Sequence, residues 1–181
     1  MNQNKKILAL VGGISKGSIN QKLFKAMQEI APHDYQLEQF DLSQIPFFSQ
    51  DLEVDPPGLV NQLKEKIKEA HAILFITPEY NRSFPGVFKN AIDWASRPYG
   101  QSAWVGKRAG VMGASVGNIG TFGAQHHLRQ VLAYLDMKVM GQPEFYLNAS
   151  HAFDDQGKLM DVKIKELMIN YWKSFDRFIY E

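Results

Sequence analysis

The 181-residue sequence sets twenty Lys and Arg against nineteen Asp and Glu, a formal charge of +1 that provides no global field for nucleic acid or an anionic membrane. Cysteine is absent, which excludes disulfides, thiolate metal sites and Cys nucleophiles, so redox chemistry would need a borrowed cofactor. With 45% hydrophobic and 22% charged residues, the chain is expected to form one globular domain over residues 1–181.

The basic start Met1 to Lys6 leads into an apolar run too short for a signal-peptide core, and no run nears the roughly 20 apolar residues of a membrane span. A cytoplasmic enzyme or binding protein is the expectation. Ile7 to Val11 is continuously apolar, the pattern of a strand buried on both faces of a parallel sheet. Next comes "VGGISKGSIN", Val11 to Asn20, and then a helical stripe from Ser18 to Ile30 through Ile19, Leu23, Phe24 and Met27, with Ser18 as N-cap.

Tyr35 to Phe40 alternates as a half-exposed strand, and Leu59 to Ala70 returns to helical spacing. The proline-rich connection Ile45 to Gly58 is long enough to form a pocket wall. Ala72 to Ile76 is a second buried strand and Ala109 to Ala114 a glycine-weakened third. Helices follow at Pro85 to Trp94, Phe122 to Leu135 and Val162 to Tyr180, with a short strand around Lys138 to Met140. Asn148 to Asp161 reads as an ordinary surface connection. Five strands interleaved with five helices imply an α/β, doubly wound sheet with right-handed crossovers.

In such a sheet ligands bind outside the carboxyl ends of the strands, where Val11 to Asn20 lies. Glycines allow close backbone approach, and free amides at the following helix start favour an anion. Gly12 and Gly17 have the spacing of a triphosphate loop, but Ser18 stands where that loop needs lysine. The dinucleotide pattern fails because the glycines fall at 12, 13 and 17, although Asp41 could serve as a ribose-binding acid. Two readings stay open: a monophosphate site built from Ser15, Lys16, Ser18 and Asn20, which suits a flavin mononucleotide, or a tight turn with a serine cap.

After the strand ending at Ile76 comes "PEYNRSFPGVFKNAIDW", Pro78 to Trp94, either a loop presenting backbone amides to a planar heterocycle or a proline-bounded turn capped by Asn81 or Ser83. After the next strand comes "GASVGNIGTFGAQHHLRQ", Gly113 to Gln130, whose small residues would let a flat ring lie on the backbone. His126 and His127 are adjacent and point about 100° apart on a helix, a poor geometry for one metal. No metal site is expected.

Together these three segments resemble the NAD(P)H-dependent FMN reductase family, which includes quinone, azo-dye and chromate reductases. The resemblance implies a flavodoxin-like three-layer fold with a five-stranded parallel sheet in the order 2-1-3-4-5. It implies that Ser15, Lys16, Ser18, Ile19 and Asn20 surround the FMN phosphate, that Pro78, Glu79, Tyr80 and Asn81 lie along the isoalloxazine, and that Ser115 and Gly117 hold its other edge. Gly13 and Ser15 stand where the family has serine and arginine; the missing guanidinium removes a charge-assisted contact, for which Lys16 could compensate. Arg82, Phe84 and Trp104 are expected at the nicotinamide and acceptor pocket.

The resemblance also implies that the flavin N5 carries the chemistry without a catalytic side chain, that NAD(P)H is the co-substrate, and that the mechanism is ping-pong to quinone, azo, flavin or metal-oxyanion acceptors. A homodimer or homotetramer is implied, with the stretches through Phe88, Ile92 and Trp94 and through Leu128, Val131 and Tyr134 as candidate contacts. The alternative is a non-catalytic flavin-binding or electron-transfer protein.

Overall fold

The computed structural model describes residues 5–181, which form six strands and five α-helices. β1 (Lys5–Val11), β2 (Tyr35–Phe40), β3 (Ala72–Ile76), β4 (Arg108–Ser115) and β5 (Lys138–Val139) lie in the order β2-β1-β3-β4-β5, every pair parallel. The expected order therefore holds.

One element is added to the expected sheet. β5 covers only Arg108 and Ala109 of the eight-residue β4, and β6 (Tyr146–Asn148) takes the open half, pairing Gly113, Ala114 and Ser115. Five strands become six because the outer edge of β4 is shared by two short strands. β5 lies where the sequence predicts a short strand, whereas the three residues of β6 are too few for hydrophobic alternation to announce them.

The strands divide their side chains between two cores, as period-two alternation dictates. Ile7, Ala9, Val11, Leu74 and Ile76 face a core completed by α1 (Ile19–Glu29) and α5 (Val162–Tyr180), with Leu23, Met27, Trp172 and Phe175 at its centre. Leu8, Leu10, Ile73 and Phe75 face the opposite core, under α2 (Gly58–Glu69), α3 (Gly86–Ala95) and α4 (Phe122–Tyr134). Three layers result. β3 is buried along its whole length, which accounts for its unbroken apolar run.

Both irregular connections are anchored. The backbone around Pro46 is held on α3, where Trp94 Nε1 donates to Pro46 O at 2.8 Å and Asn90 Oδ1 accepts from Phe48 N at 2.8 Å. The segment after β6 does more than connect: Ala149 N donates to Ser115 O at 2.8 Å and Ser150 Oγ to Val116 O at 3.2 Å, so it braces the loop after β4.

Candidate functional site

Three loops meet at the carboxyl ends of β1, β3 and β4, which are adjacent in the sheet. The order reverses between β1 and β3, and the helices leaving these strands diverge to opposite faces, so a crevice opens there.

The first loop runs from Gly12 into α1. Ser18 is the N-cap residue, as expected, but its hydroxyl makes no capping bond and α1 has no acid in its first turn. Among the described residues no backbone acceptor meets the N–H groups of Ser15, Lys16, Gly17, Ile19 or Asn20. Unsatisfied N–H groups and the positive end of the helix dipole together favour an anion. Gly13 leaves room for the Ser18 hydroxyl in its present position: a Cβ there would lie 2.0 Å from Ser18 Oγ and would have to turn it away. The hydroxyl thus fills the space a larger residue at position 13 would take, and Ser15 and Lys16 stand exposed at the rim.

Asn20 corrects the expectation that its side chain meets a phosphate. It is 2% exposed. Its Nδ2 donates to Ala114 O at 2.9 Å and its Oδ1 accepts from Ala114 N at 2.9 Å, so the side chain ties α1 to β4. What Asn20 offers the crevice is its backbone N–H. Asp41 Oδ1 accepts from Ser43 N at 2.9 Å, capping the short turn after β2.

The second loop is a tight hairpin, neither of the capped turns considered from sequence. Tyr80 and Ser83 exchange backbone hydrogen bonds of 3.0 and 2.9 Å, and Asn81 and Arg82 between them are both left-handed, with φ of 51° and 63°. Two consecutive left-handed residues match the compact turn of a β-hairpin, at a cost of roughly 1 kcal/mol or more for each non-glycine residue. The hairpin is clamped to α4 at two points. Glu79 Oε2 accepts from Ala124 N at 3.0 Å, capping the helix from outside, and the Ser83 hydroxyl lies 2.9 Å from His127 Nδ1. Glu79 Oε1 also pairs with Arg82 Nη1 at 3.0 Å. α3 then begins after Pro85, without a side-chain cap from Asn81 or Ser83.

The third loop folds on Ser115, whose Oγ donates to Gly120 O at 2.6 Å and accepts from Gly117 N at 3.1 Å. Gly120 is left-handed at φ +59°, and a Cβ on it would come within 2.8 Å of the Tyr146 backbone, so the turn presses against β6. Ser115 shapes this loop with its side chain and leaves backbone to face the crevice.

Two expected pocket residues lie elsewhere. Trp104 is 0% exposed, donates from Nε1 to Ile92 O at 3.0 Å and packs beside Phe75, inside the core beneath α3. Phe84 is buried, its ring 5.1 Å from that of His127. Both are apolar anchors of the α3 and α4 layer, a role that sequence position does not separate from a pocket wall. Of the three, only Arg82 is exposed.

The donor set therefore fits an FMN: N–H groups and a hydroxyl for one phosphate, then two narrow loops of backbone for a flat ring. Residues 5–152 match the NADPH-dependent FMN reductase family. The chain is 45% identical over 163 residues to a quinone reductase of Pseudomonas putida, covering 89% of this chain and 88% of that one. It is 42% identical over 171 residues to a 2-hydroxy-1,4-benzoquinone reductase of a Burkholderia species, covering 94% and 93%. It is also similar to the structure of FerB, a flavoenzyme NAD(P)H:(acceptor) oxidoreductase from Paracoccus denitrificans, with 38% identity, 97% of each chain covered and a TM-score of 0.92. The chain belongs to the NADPH-dependent FMN reductase family of flavin-dependent oxidoreductases, with FMN as cofactor and NAD(P)H as electron donor.

Proposed function

We propose that the chain is a quinone reductase that carries two electrons from reduced nicotinamide to a quinone by a ping-pong cycle. The observation that carries the reading is the start of α1, whose N–H groups at Ser15, Lys16, Gly17, Ile19 and Asn20 meet no backbone acceptor among the described residues and whose Ser18 hydroxyl makes no capping bond. The similarity to reductases of quinones over about nine-tenths of the chain supports the acceptor class. Azo compounds, free flavins and metal oxyanions are further acceptors on this reading.

Bound FMN would supply the redox chemistry, taking hydride from the donor and passing two electrons onward. The protein's part is position and electrostatics. Ser18 Oγ and the amides of Ser15 to Asn20 would hold the phosphate, with the Lys16 charge nearby. The backbone from Pro78 to Asn81 would lie along one edge of the ring, and Ser115 to Gly117 along the other. The clamps from Glu79 and Ser83 to α4 keep the hairpin from shifting as donor and acceptor alternate. Per cycle the nicotinamide loses a hydride, and the quinone gains that hydride equivalent and one proton to become the hydroquinone.

The proposal includes a cytoplasmic location, where reduced nicotinamide is supplied, and self-association through α3 and α4. A groove of about 860 Å³ runs between these helices, bordered by Ile92, Val131 and Leu135 with Tyr99 and Tyr134 at its rim. Most of the expected contact residues are intrachain core, since Phe88, Ile92, Trp94 and Leu128 are buried; Tyr134 is exposed.

Steady-state oxidation of NADPH and NADH by FMN-loaded protein, with benzoquinone as acceptor, tests the function. Turnover with parallel double-reciprocal lines is expected. Absence of turnover with either donor refutes the reductase reading, and intersecting lines refute the ping-pong cycle.

A further inference from the structure

The crevice mouth carries a guanidinium that the fold holds in place without using up. Arg82 sits on the Tyr80–Ser83 hairpin in the left-handed region, and its side chain is 74% exposed. One nitrogen, Nη1, reaches Glu79 Oε1; among the described residues its Nε and Nη2 meet no protein acceptor. Glu79 does not depend on that contact. Its side chain is 9% exposed and its other oxygen is held by Ala124 N at the start of α4, where the helix dipole favours a carboxylate. Arg82 can turn toward a second anion while the cap on α4 stays made.

The surroundings make such an anion part of a flat molecule. Exposed apolar and aromatic side chains on the crevice loops include Ile14, Tyr80, Val116 and Ile119, suited to the face or edge of a ring, beside the exposed polar Ser15, Lys16, Asn81 and Asn118. The carbonyl oxygen of Arg82 lies 3.3 Å from where a Cβ of Gly123 would be, so the residue stands between the hairpin and the start of α4. A guanidinium presents its donors as a planar fork, which matches two coplanar oxygens better than an ammonium does.

We infer that Arg82 is a specificity residue for quinones bearing an ionised oxygen on the ring, such as the enolate of a hydroxyquinone, and that it pairs with that oxygen while the ring lies over the flavin. The inference rests on the quinone-reductase reading above. It has a chemical consequence beyond affinity. An ionised hydroxyl pushes electron density into the quinone and makes it a poorer two-electron acceptor; a cation on that oxygen draws the density back. Arg82 transfers no proton. The acceptor still gains a hydride equivalent and one proton, and the nicotinamide is oxidised.

The test compares a hydroxynaphthoquinone, ionised at neutral pH, with its uncharged methyl ether, using FMN-loaded wild type, Arg82→Gln and Arg82→Lys. Two quantities are read: the ratio of KM for the ionised quinone to KM for the ether, and the dissociation constant of each quinone from the oxidised enzyme, followed by flavin absorbance. In Arg82→Gln both ratios should rise by about tenfold, the scale of one charge-assisted contact at an open site. Arg82→Lys should retain part of the preference, and added salt should erode it in wild type. Ratios unchanged in Arg82→Gln overturn the inference. If wild type reduces neither quinone, the quinone-reductase reading fails first and this inference with it.

Discussion

Asn20 and Ala114 exchange two hydrogen bonds of 2.9 Å, side chain to backbone in both directions, across 94 residues of sequence. The pair joins the helix that follows the first crevice loop to the strand that precedes the third. Its loss would leave a buried N–H and C=O unmet, each costing about 1–3 kcal/mol. Asn20→Ala should therefore destabilise the cofactor-free protein by roughly 2–4 kcal/mol in denaturant unfolding. A stability unchanged from wild type would show that Asn20 acts on ligand alone.

Gly13 and Ser18 compete for one volume. Gly13→Ala places a Cβ on the Ser18 hydroxyl, so it should cost roughly 1–3 kcal/mol of stability, and FMN affinity should fall at least about tenfold. Adding Ser18→Ala makes room, so the double variant should regain most of the stability while its affinity stays low. If the double variant is no more stable than Gly13→Ala, the contact is not the cause.

The rim of the first crevice loop carries Ser15 where the family resemblance implies a guanidinium. Ser15→Arg should tighten FMN severalfold, on the scale of roughly 1 kcal/mol for a partly solvated charge-assisted bond. Lys16→Ala should weaken binding and flatten its dependence on salt. Titrations at two ionic strengths check both, and a salt dependence identical in wild type and Lys16→Ala would remove Lys16 from the site.

The far end of the sheet has a separate electrostatic knot. Lys5 Nζ lies 2.7 Å from Asp176 and 3.0 Å from Asp34, and the Tyr35 hydroxyl donates to Asp176 at 2.5 Å. Burial opposes the charge on Lys5, but the two carboxylates outweigh it and raise its pKa. Lys5 in turn lowers both carboxyls, with Tyr35 adding to the effect on Asp176. A carboxyl depressed in the folded state stabilises above its ordinary pKa of about 4 and loses that contribution as pH falls further. Lys5→Met should thus flatten the decline of stability below about pH 4. An acid-unfolding profile with the wild-type slope would contradict this.

Much of the architecture is legible in the chain. β2, β3 and α5 begin and end where alternation, apolar runs and helical spacing put them, and the other helices shift by a residue or so. β6 is not legible, because three residues carry no period and their pairing depends on how much of β4 the two-residue β5 leaves open. The three crevice loops could be read from glycine, proline and small residues after strands. The division of labour within them could not. Asn20 and Ser18 are both polar residues at a helix start, and only the fold turns one inward to Ala114 and leaves the other's hydroxyl uncommitted. Trp104 and Phe84 likewise look the same in a pocket wall or a core. Nor does Asn81-Arg82 carry the glycine that usually marks two left-handed residues in a row.

On the function proposed above, the start of α1 and the Ser18 hydroxyl would hold a single phosphate. Riboflavin differs from FMN only in lacking that group, so parallel titrations of the cofactor-free protein with the two flavins isolate its contribution. FMN should bind at least about a hundredfold more tightly, the scale of an anion held by several N–H groups at a helix start. Equal affinity for the two flavins would contradict the claim.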